Sequence, residues 1–207
     1  MNELIAFFVA AGLSFWGSLP LGIVNLQVIQ TALFGNREHT NKLIIGGVLP
    51  ELIYSFLAIH AVAYFSKQRW IEDLSILMVV AFIGLGIYYL VKQHQVPKLH
   101  KSASGSFLKG FVLALINPQL IIYWMAMLIF LKPFINLSDG TFFSPEWGFI
   151  LGTAVGAYLA LQMFASLTYR FKDRIAKWLG IKMDRVFGWV FITLGVFELV
   201  RWITTNF

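Results

Sequence analysis

The sequence predicts an all-α integral membrane protein with six transmembrane helices, arranged as two inverted three-helix repeats. The chain has 207 residues, of which 58% are hydrophobic and only 13% are charged, whereas soluble domains carry about 25% charged residues. Long apolar runs alternate with short polar connectors, and two of the runs contain a proline near their centre. We therefore expect one transmembrane domain over 1–207, with repeat halves at about 1–91 and 107–207 joined by a cytoplasmic loop, 92–106.

Six apolar runs define the expected spans, at about 3–34, 43–66, 71–91, 107–132, 147–169 and 185–203. The first run is predicted to be a retained span rather than a cleaved signal, because it begins without a basic segment. As one straight helix it would be roughly 48 Å long, well beyond the ~30 Å hydrocarbon core of a bilayer. Pro20 lacks an N–H group and Gly22 adds backbone freedom, so this helix should be interrupted near its midpoint.

The second run carries Glu51, the most informative single residue of the chain. An isolated carboxyl group at membrane depth is costly, and such groups face a cavity, find a partner, or bind protons and ions. A structural hydrogen bond between helices is the alternative interpretation. Tyr54 lies three residues further on, so it shares the helix face of Glu51 and could hydrogen-bond to it.

The fourth run repeats the interruption of the first, at Pro118, and polar residues accompany both prolines: Asn25, Gln27, Asn117 and Gln119. Irregular backbone at membrane depth is tolerated only inside protein or beside a water-filled cavity. Two interrupted segments in matching positions of two halves indicate a transporter's binding site. Each half holds three spans, an odd number, so the second half should enter the membrane from the opposite face. The asparagines could contact a solute or merely satisfy backbone groups that the breaks release.

The fifth run places small residues at i+4 spacing on one helix face, namely Gly148, Gly152, Gly156 and Ala160. Such a face permits close backbone approach. It could form a homodimer interface or pack against another helix of the same chain.

Lysine and arginine predict the orientation. Twelve of the sixteen basic residues lie in or beside the connectors after the first, third and fifth runs. We expect that side to be cytoplasmic, in a multi-pass protein of the inner or plasma membrane with both termini outside.

The remaining composition argues against several chemistries. The chain has no cysteine, and no nucleophile–base pair, phosphate-binding loop or metal-ligand cluster is apparent. We therefore expect no enzyme activity, no metal and no cofactor. The basic residues lie in connectors rather than along an aromatic-rich stripe, so no nucleic-acid partner is expected either.

Several motifs resemble those of the lysine exporter (LysE-type) amino-acid translocator family. Pro20-x-Gly22-x-x-Asn25 is similar to its Pro-x-Gly-Pro-x-Asn element, with Ile23 in place of the second proline. Gly46 followed by Glu51 resembles a glycine and an acidic residue, usually Asp, in its second span. Further similar elements are Gly35 followed by Arg37-Glu38-His39, Phe107 to Phe111 with Asn117-Pro118, and Asp184-Arg185-x-x-Gly188 to Leu194-Gly195-Val196.

This resemblance implies a secondary exporter of amino acids or related small metabolites, driven by the proton gradient. Its partners would be an amino-acid-like solute, protons and the lipid bilayer. Glu51 would face the solute's ammonium group or carry the coupling proton. Two other classes stay open: a membrane-embedded ion carrier or enzyme that uses Glu51, and a structural membrane subunit that transports nothing.

Overall fold

A computed structural model describes residues 3–20, 22–66, 71–91, 106–131, 145–171, 185, 188–197, 199–200 and 202–204. Every described residue lies in a helix or in a turn or short irregular segment next to one. The helices are α1 (Glu3–Gly17), α2 (Ile23–Phe34), α3 (Arg37–Ser66), α4 (Ile71–Val91), α5 (Phe107–Leu115), α6 (Pro118–Leu131) and α7 (Pro145–Arg170). A last helix, α8, covers 188–197. The expected loop 92–106 lies outside the described residues except for Ser106.

Two of the described helices are long and apolar enough to cross a membrane, over Arg37–Tyr64 and Pro145–Arg170. The pair α5 and α6 forms a third such segment, bent by 59° at its break. Many large apolar side chains point outward, among them Leu4, Phe8, Val91, Leu108 and Leu151. Lipid tails can cover such a surface without the cost that water would impose.

The first long run is divided into two short helices. α1 ends at Gly17 and α2 begins at Ile23, so Pro20 and Gly22 lie in the segment between them. α3 then begins at Arg37, six residues earlier than the sequence indicated. The reason is local: the Asn36 side chain accepts a hydrogen bond from the His39 amide at 2.8 Å, which satisfies a free N–H of the first turn. The connector is therefore shorter than predicted.

α1 and α7 pack side by side along most of α1. A Cβ atom on Gly148, Gly152 or Gly156 would lie 2.1–2.4 Å from the carbonyl oxygen of Glu3, Phe7 or Ala11, respectively. Both residue series advance by four, so the two helices run parallel with backbones in direct contact. The small-residue face of α7 is thus filled by α1 of the same chain, and the interpretation of this face as a homodimer interface is wrong.

Glycine allows two further close helix contacts. α3 and α5 meet at Gly46 and Gly110, where an added Cβ would lie 1.9 Å from the carbonyl oxygen of Phe107 and 2.0 Å from that of Leu43. α4 and α8 meet at Gly86 and Gly188. These contacts bring the two halves of the chain together around a common centre.

Candidate functional site

The helix breaks meet at a partly open cavity of about 80 Å³. Its lining includes Ser14 of α1, Glu51 of α3, Trp124 of α6 and Leu161 of α7. Residues of both breaks and of α2, α5 and α8 complete the lining. The volume is enough for a few water molecules or a small solute.

Glu51 occupies the centre of this arrangement. It is the fifteenth of the thirty residues of α3, so it lies at the midpoint of this helix. Only 8% of the residue is exposed, and its Oε2 accepts a hydrogen bond from the Trp124 indole Nε1 at 2.7 Å. The carboxyl group therefore both joins α3 to α6 and faces the cavity, which combines the two interpretations that the sequence left open.

Asn25 hydrogen-bonds to the irregular backbone of the first break. Gly22 donates its amide to the Pro20 carbonyl at 2.8 Å rather than to the Ser18 carbonyl four residues back. The Asn25 Nδ2 donates to the Ser18 carbonyl that Gly22 leaves free, at 2.7 Å, and also to the Pro20 carbonyl, at 2.8 Å. Because an unsatisfied buried carbonyl costs about 1–3 kcal/mol, Asn25 stabilises this irregular segment directly.

Asn117 stabilises the second break through its side-chain oxygen, whereas Asn25 uses its side-chain nitrogen. Its Oδ1 accepts a hydrogen bond from the Gln119 amide at 3.2 Å, at the N-terminus of α6. Gln119 is therefore diverted from the Leu115 carbonyl that it would serve in a continuous helix. The Tyr54 hydroxyl donates to that Leu115 carbonyl instead.

The structure places two of the predicted polar residues away from Glu51. Tyr54 does not hydrogen-bond to it, because its hydroxyl is engaged at the second break and Trp124 supplies the donor to the carboxyl group. Gln27 is not brought to the cavity; its Nε2 lies 3.4 Å from the Thr31 hydroxyl one turn further along α2. The predicted residues that do line the cavity are Pro20, Gly22, Asn25, Glu51, Asn117 and Gln119.

Ser14 is a cavity residue that the sequence did not single out. It is 1% exposed, and its hydroxyl has no hydrogen-bond partner among the described residues. Buried hydroxyls are nearly always satisfied, so a polar atom within the cavity is the natural partner for this one. A serine in an apolar helix is a weak sequence signal, and only the fold shows that it faces Glu51's cavity.

Tyr123 and Trp124 are two further cavity residues that the sequence did not single out. Tyr123 Oη donates to the Leu13 carbonyl at 2.8 Å, and its ring occupies the space beside Gly17 where a Cβ would lie 2.5 Å away. Tryptophan is enriched at membrane interfaces and normally finds a partner for its N–H group when buried. Trp124 lies in the interior of an apolar run, and a tryptophan away from the run's ends could have suggested a buried partner for its N–H group.

The electrostatics of the cavity combine one acid with two helix N-termini. Glu51 is the one charged side chain among the described lining residues. The first turns of α2 and α6 also reach the cavity, through Val24 and Asn25 and through Gln119 and Leu120. Helix N-termini carry partial positive charge, so the cavity offers both an acidic group and sites that favour a negative group.

Interrupted helices that meet around a cavity with several polar lining residues, within an apolar helical bundle, are typical of membrane transport proteins. Comparison with known families agrees with this class. Residues 15–201 match the family model of the LysE type translocator. The chain thus belongs to the LysE-type translocator family, as the sequence motifs indicated, and it is a membrane protein. No curated protein and no solved structure matches it.

Proposed function

We propose that this protein is a secondary active exporter of amino acids or related small metabolites, and that Glu51 carries the coupling proton. The observation that carries this proposal is the position of Glu51, a buried carboxyl group facing a cavity at the junction of two helix breaks. Membership of a translocator family supports transport rather than catalysis.

The cavity supports a small zwitterionic solute. The N-termini of α2 and α6 would receive the solute's carboxylate, as half-helix N-termini do in other transporters. Ser14 would donate or accept one further hydrogen bond. The solute's ammonium group would lie on the side of Glu51.

Helix packing supports alternating access between two repeats. α7 packs its glycine face on α1, and α3 packs its glycines on α5. Under the proposed inverted repeat, α7 corresponds to α3, and α1 corresponds to the α5 half of the other interrupted span. A two-fold relation between the repeats requires that the α1–α7 contact be repeated as the α5–α3 contact. Rocking of one repeat against the other would open the cavity to each side of the membrane in turn.

The test uses purified protein in liposomes with an imposed pH gradient, and a panel of radiolabelled proteinogenic amino acids as probes. We expect Glu51→Gln to abolish gradient-driven movement, because the amide retains size and hydrogen bonding but cannot carry a proton. Counterflow of the same amino acid, which does not require proton release, should continue. A pH-sensitive dye inside the liposomes reports proton movement separately.

The matched control is Glu38→Gln, the same substitution in the same helix. Glu38 is exposed and pairs with Lys42 at 2.6 Å, far from the cavity, so transport should be unchanged. A folded Glu51→Gln protein that keeps wild-type gradient-driven transport and pH dependence would exclude the coupling role. Loss of counterflow together with gradient-driven transport would instead assign Glu51 to the solute. If no amino acid on the panel moves, the proposed substrate class is wrong.

A further inference from the structure

A second, larger cavity lies between the first turns of α3 and the last turns of α7. Its volume is about 560 Å³, within the range of ligand-binding pockets. We call it the α3–α7 pocket; its lining comprises Arg37 and Asn41 of α3 and Tyr158, Gln162, Ser166 and Arg170, with Tyr169, of α7. None of these residues lines the Glu51 cavity.

Two arginines make the α3–α7 pocket electropositive. Among the described residues, no carboxylate lies within ion-pair distance of Arg37 or Arg170. Glu38, next to Arg37 in the chain, pairs with Lys42 instead. The Arg37 guanidinium lies 5.3 Å from the centre of the Tyr169 ring. This stacking holds the cation at the pocket while leaving its N–H donors available.

Hydrogen bonds between α3 and α7 fix the polar wall of the pocket. The Gln162 Nε2 donates to the Asn41 Oδ1 at 3.1 Å and to the Tyr158 hydroxyl at 3.0 Å. The Tyr169 hydroxyl donates to the Thr40 hydroxyl at 2.9 Å. Gln162 is thus part of a network beside the arginines. The network leaves the Ser166 hydroxyl and the guanidinium groups to contact a ligand.

The polar wall continues into an apolar one along both helices. On α7, Tyr158 is twelve residues from Arg170, a rise of roughly 18 Å. Beyond Tyr158, the same side of α7 presents Val155 and Leu151, which are 39% and 55% exposed. On α3, the step of four from Asn41 leads to Ile45, which is 49% exposed. The surface therefore changes from cationic and polar at the helix ends to apolar toward their middles.

We propose that the α3–α7 pocket binds the phosphate-bearing headgroup of an anionic phospholipid, whose acyl chains lie along Ile45, Val155 and Leu151. Arginine matches phosphate oxygens bidentately, and basic pockets between transmembrane helices bind anionic headgroups. A free phosphate would use the arginines but not the adjoining apolar surface. The combination of both surfaces favours the lipid.

The first test needs no variant. Wild-type protein in detergent is titrated with phosphatidylglycerol, with zwitterionic phosphatidylcholine, and with inorganic phosphate, and thermal unfolding and lipid retention in native mass spectrometry are measured. We expect only phosphatidylglycerol to raise the unfolding temperature and to remain bound. Equal effects of phosphatidylcholine, or equal stabilisation by inorganic phosphate with displacement of the lipid, would overturn the proposal.

The second test compares two double variants of equal charge. Arg37→Gln with Arg170→Gln should weaken phosphatidylglycerol retention roughly 30-fold, the factor expected for two arginines beside an anionic lipid. Lys109→Gln with Arg185→Gln removes two charges that do not line the pocket and leaves the Glu38–Lys42 pair intact, so this variant should retain the lipid. Equal loss of phosphatidylglycerol retention in both variants would show that net charge alone causes the effect, and would contradict a site at the α3–α7 pocket. A change of oligomeric state at constant lipid retention would assign the pocket to contact between two copies of the chain.

Discussion

Glu51 is recognisable from the sequence because a carboxyl group inside an apolar run has few structural explanations. Its partner is not, since Trp124 is 73 positions further along the chain. No local pattern connects two residues at that separation. The sequence instead suggested Tyr54, one helical turn away, because i+3 neighbours share a face. The folded chain uses Tyr54 to satisfy the Leu115 carbonyl, and the nearer residue is therefore not the partner.

The bond between Glu51 and Trp124 can be measured. We expect Trp124→Phe to destabilise the protein by about 1–3 kcal/mol, because the buried carboxyl group loses its indole donor. In a Glu51→Leu background, Trp124→Phe should destabilise the protein less, because the carboxyl group that accepts the indole hydrogen bond is already absent. Thermal unfolding of the four proteins gives the coupling energy.

Trp147→Phe is the matched control, since Trp147 is 48% exposed on α7 and should tolerate the change. An equal cost of Trp124→Phe in both backgrounds would show that the indole contributes packing alone.

At the scale of the helix, glycine decides how closely elements approach. The i+4 spacing on α7 predicted a face for close packing, and the structure shows that α1 fills it. The sequence could not choose between α1 and a second copy of the chain, because both would present an apolar helix of similar shape. The start of α3 shows a second limit of prediction from sequence. Arg37, Glu38 and His39 have the composition of a turn, yet they form the first turn of the helix because the Asn36 side chain caps it.

The α1–α7 contact predicts opposite results for one substitution at two sites. Gly152→Ala should destabilise the protein by about 1–3 kcal/mol through overpacking, because the new methyl would lie 2.3 Å from the Phe7 carbonyl oxygen. Gly12→Ala, on α1, would place its new methyl more than 4 Å from any described atom outside its own stretch of helix. It should leave stability unchanged or raise it by up to about 1 kcal/mol, since alanine is the better helix former. Thermal unfolding measures both; equal destabilisation would contradict this packing.

At the scale of the whole molecule, the relative directions of the helices are compatible with six spans that alternate in direction. α1 and α7 run parallel, as the first and fifth of six alternating spans must. α4 and α8 run antiparallel, because Leu90 contacts Gly188 whereas Ile83 contacts Gly195. The third and sixth spans should have this relation.

Orientation itself stays a prediction that cysteine labelling can test. The natural chain has no cysteine, so single cysteines can be introduced at Ser104 and Ser138, in connectors predicted to lie on opposite sides. In intact cells, an impermeant thiol reagent should label Ser138→Cys and spare Ser104→Cys, while both should react after the membrane is opened. The reverse pattern would invert the proposed orientation and place both termini in the cytoplasm.

The sequence by itself determined the membrane class, the family, the positions of the two helix interruptions and the acidic residue between them. These properties depend on composition or on neighbours within one helical turn, and proline acts on the turn that contains it. Only the tertiary structure decided that Trp124 holds Glu51, that Ser14 faces the cavity, that α1 covers the α7 glycines and that two arginines meet beside Gln162. Each of these facts joins residues from different helices. The reason is physical: side chains far apart in the chain become neighbours only when the backbones have packed, and apolar periodicity is the same whichever helix lies opposite.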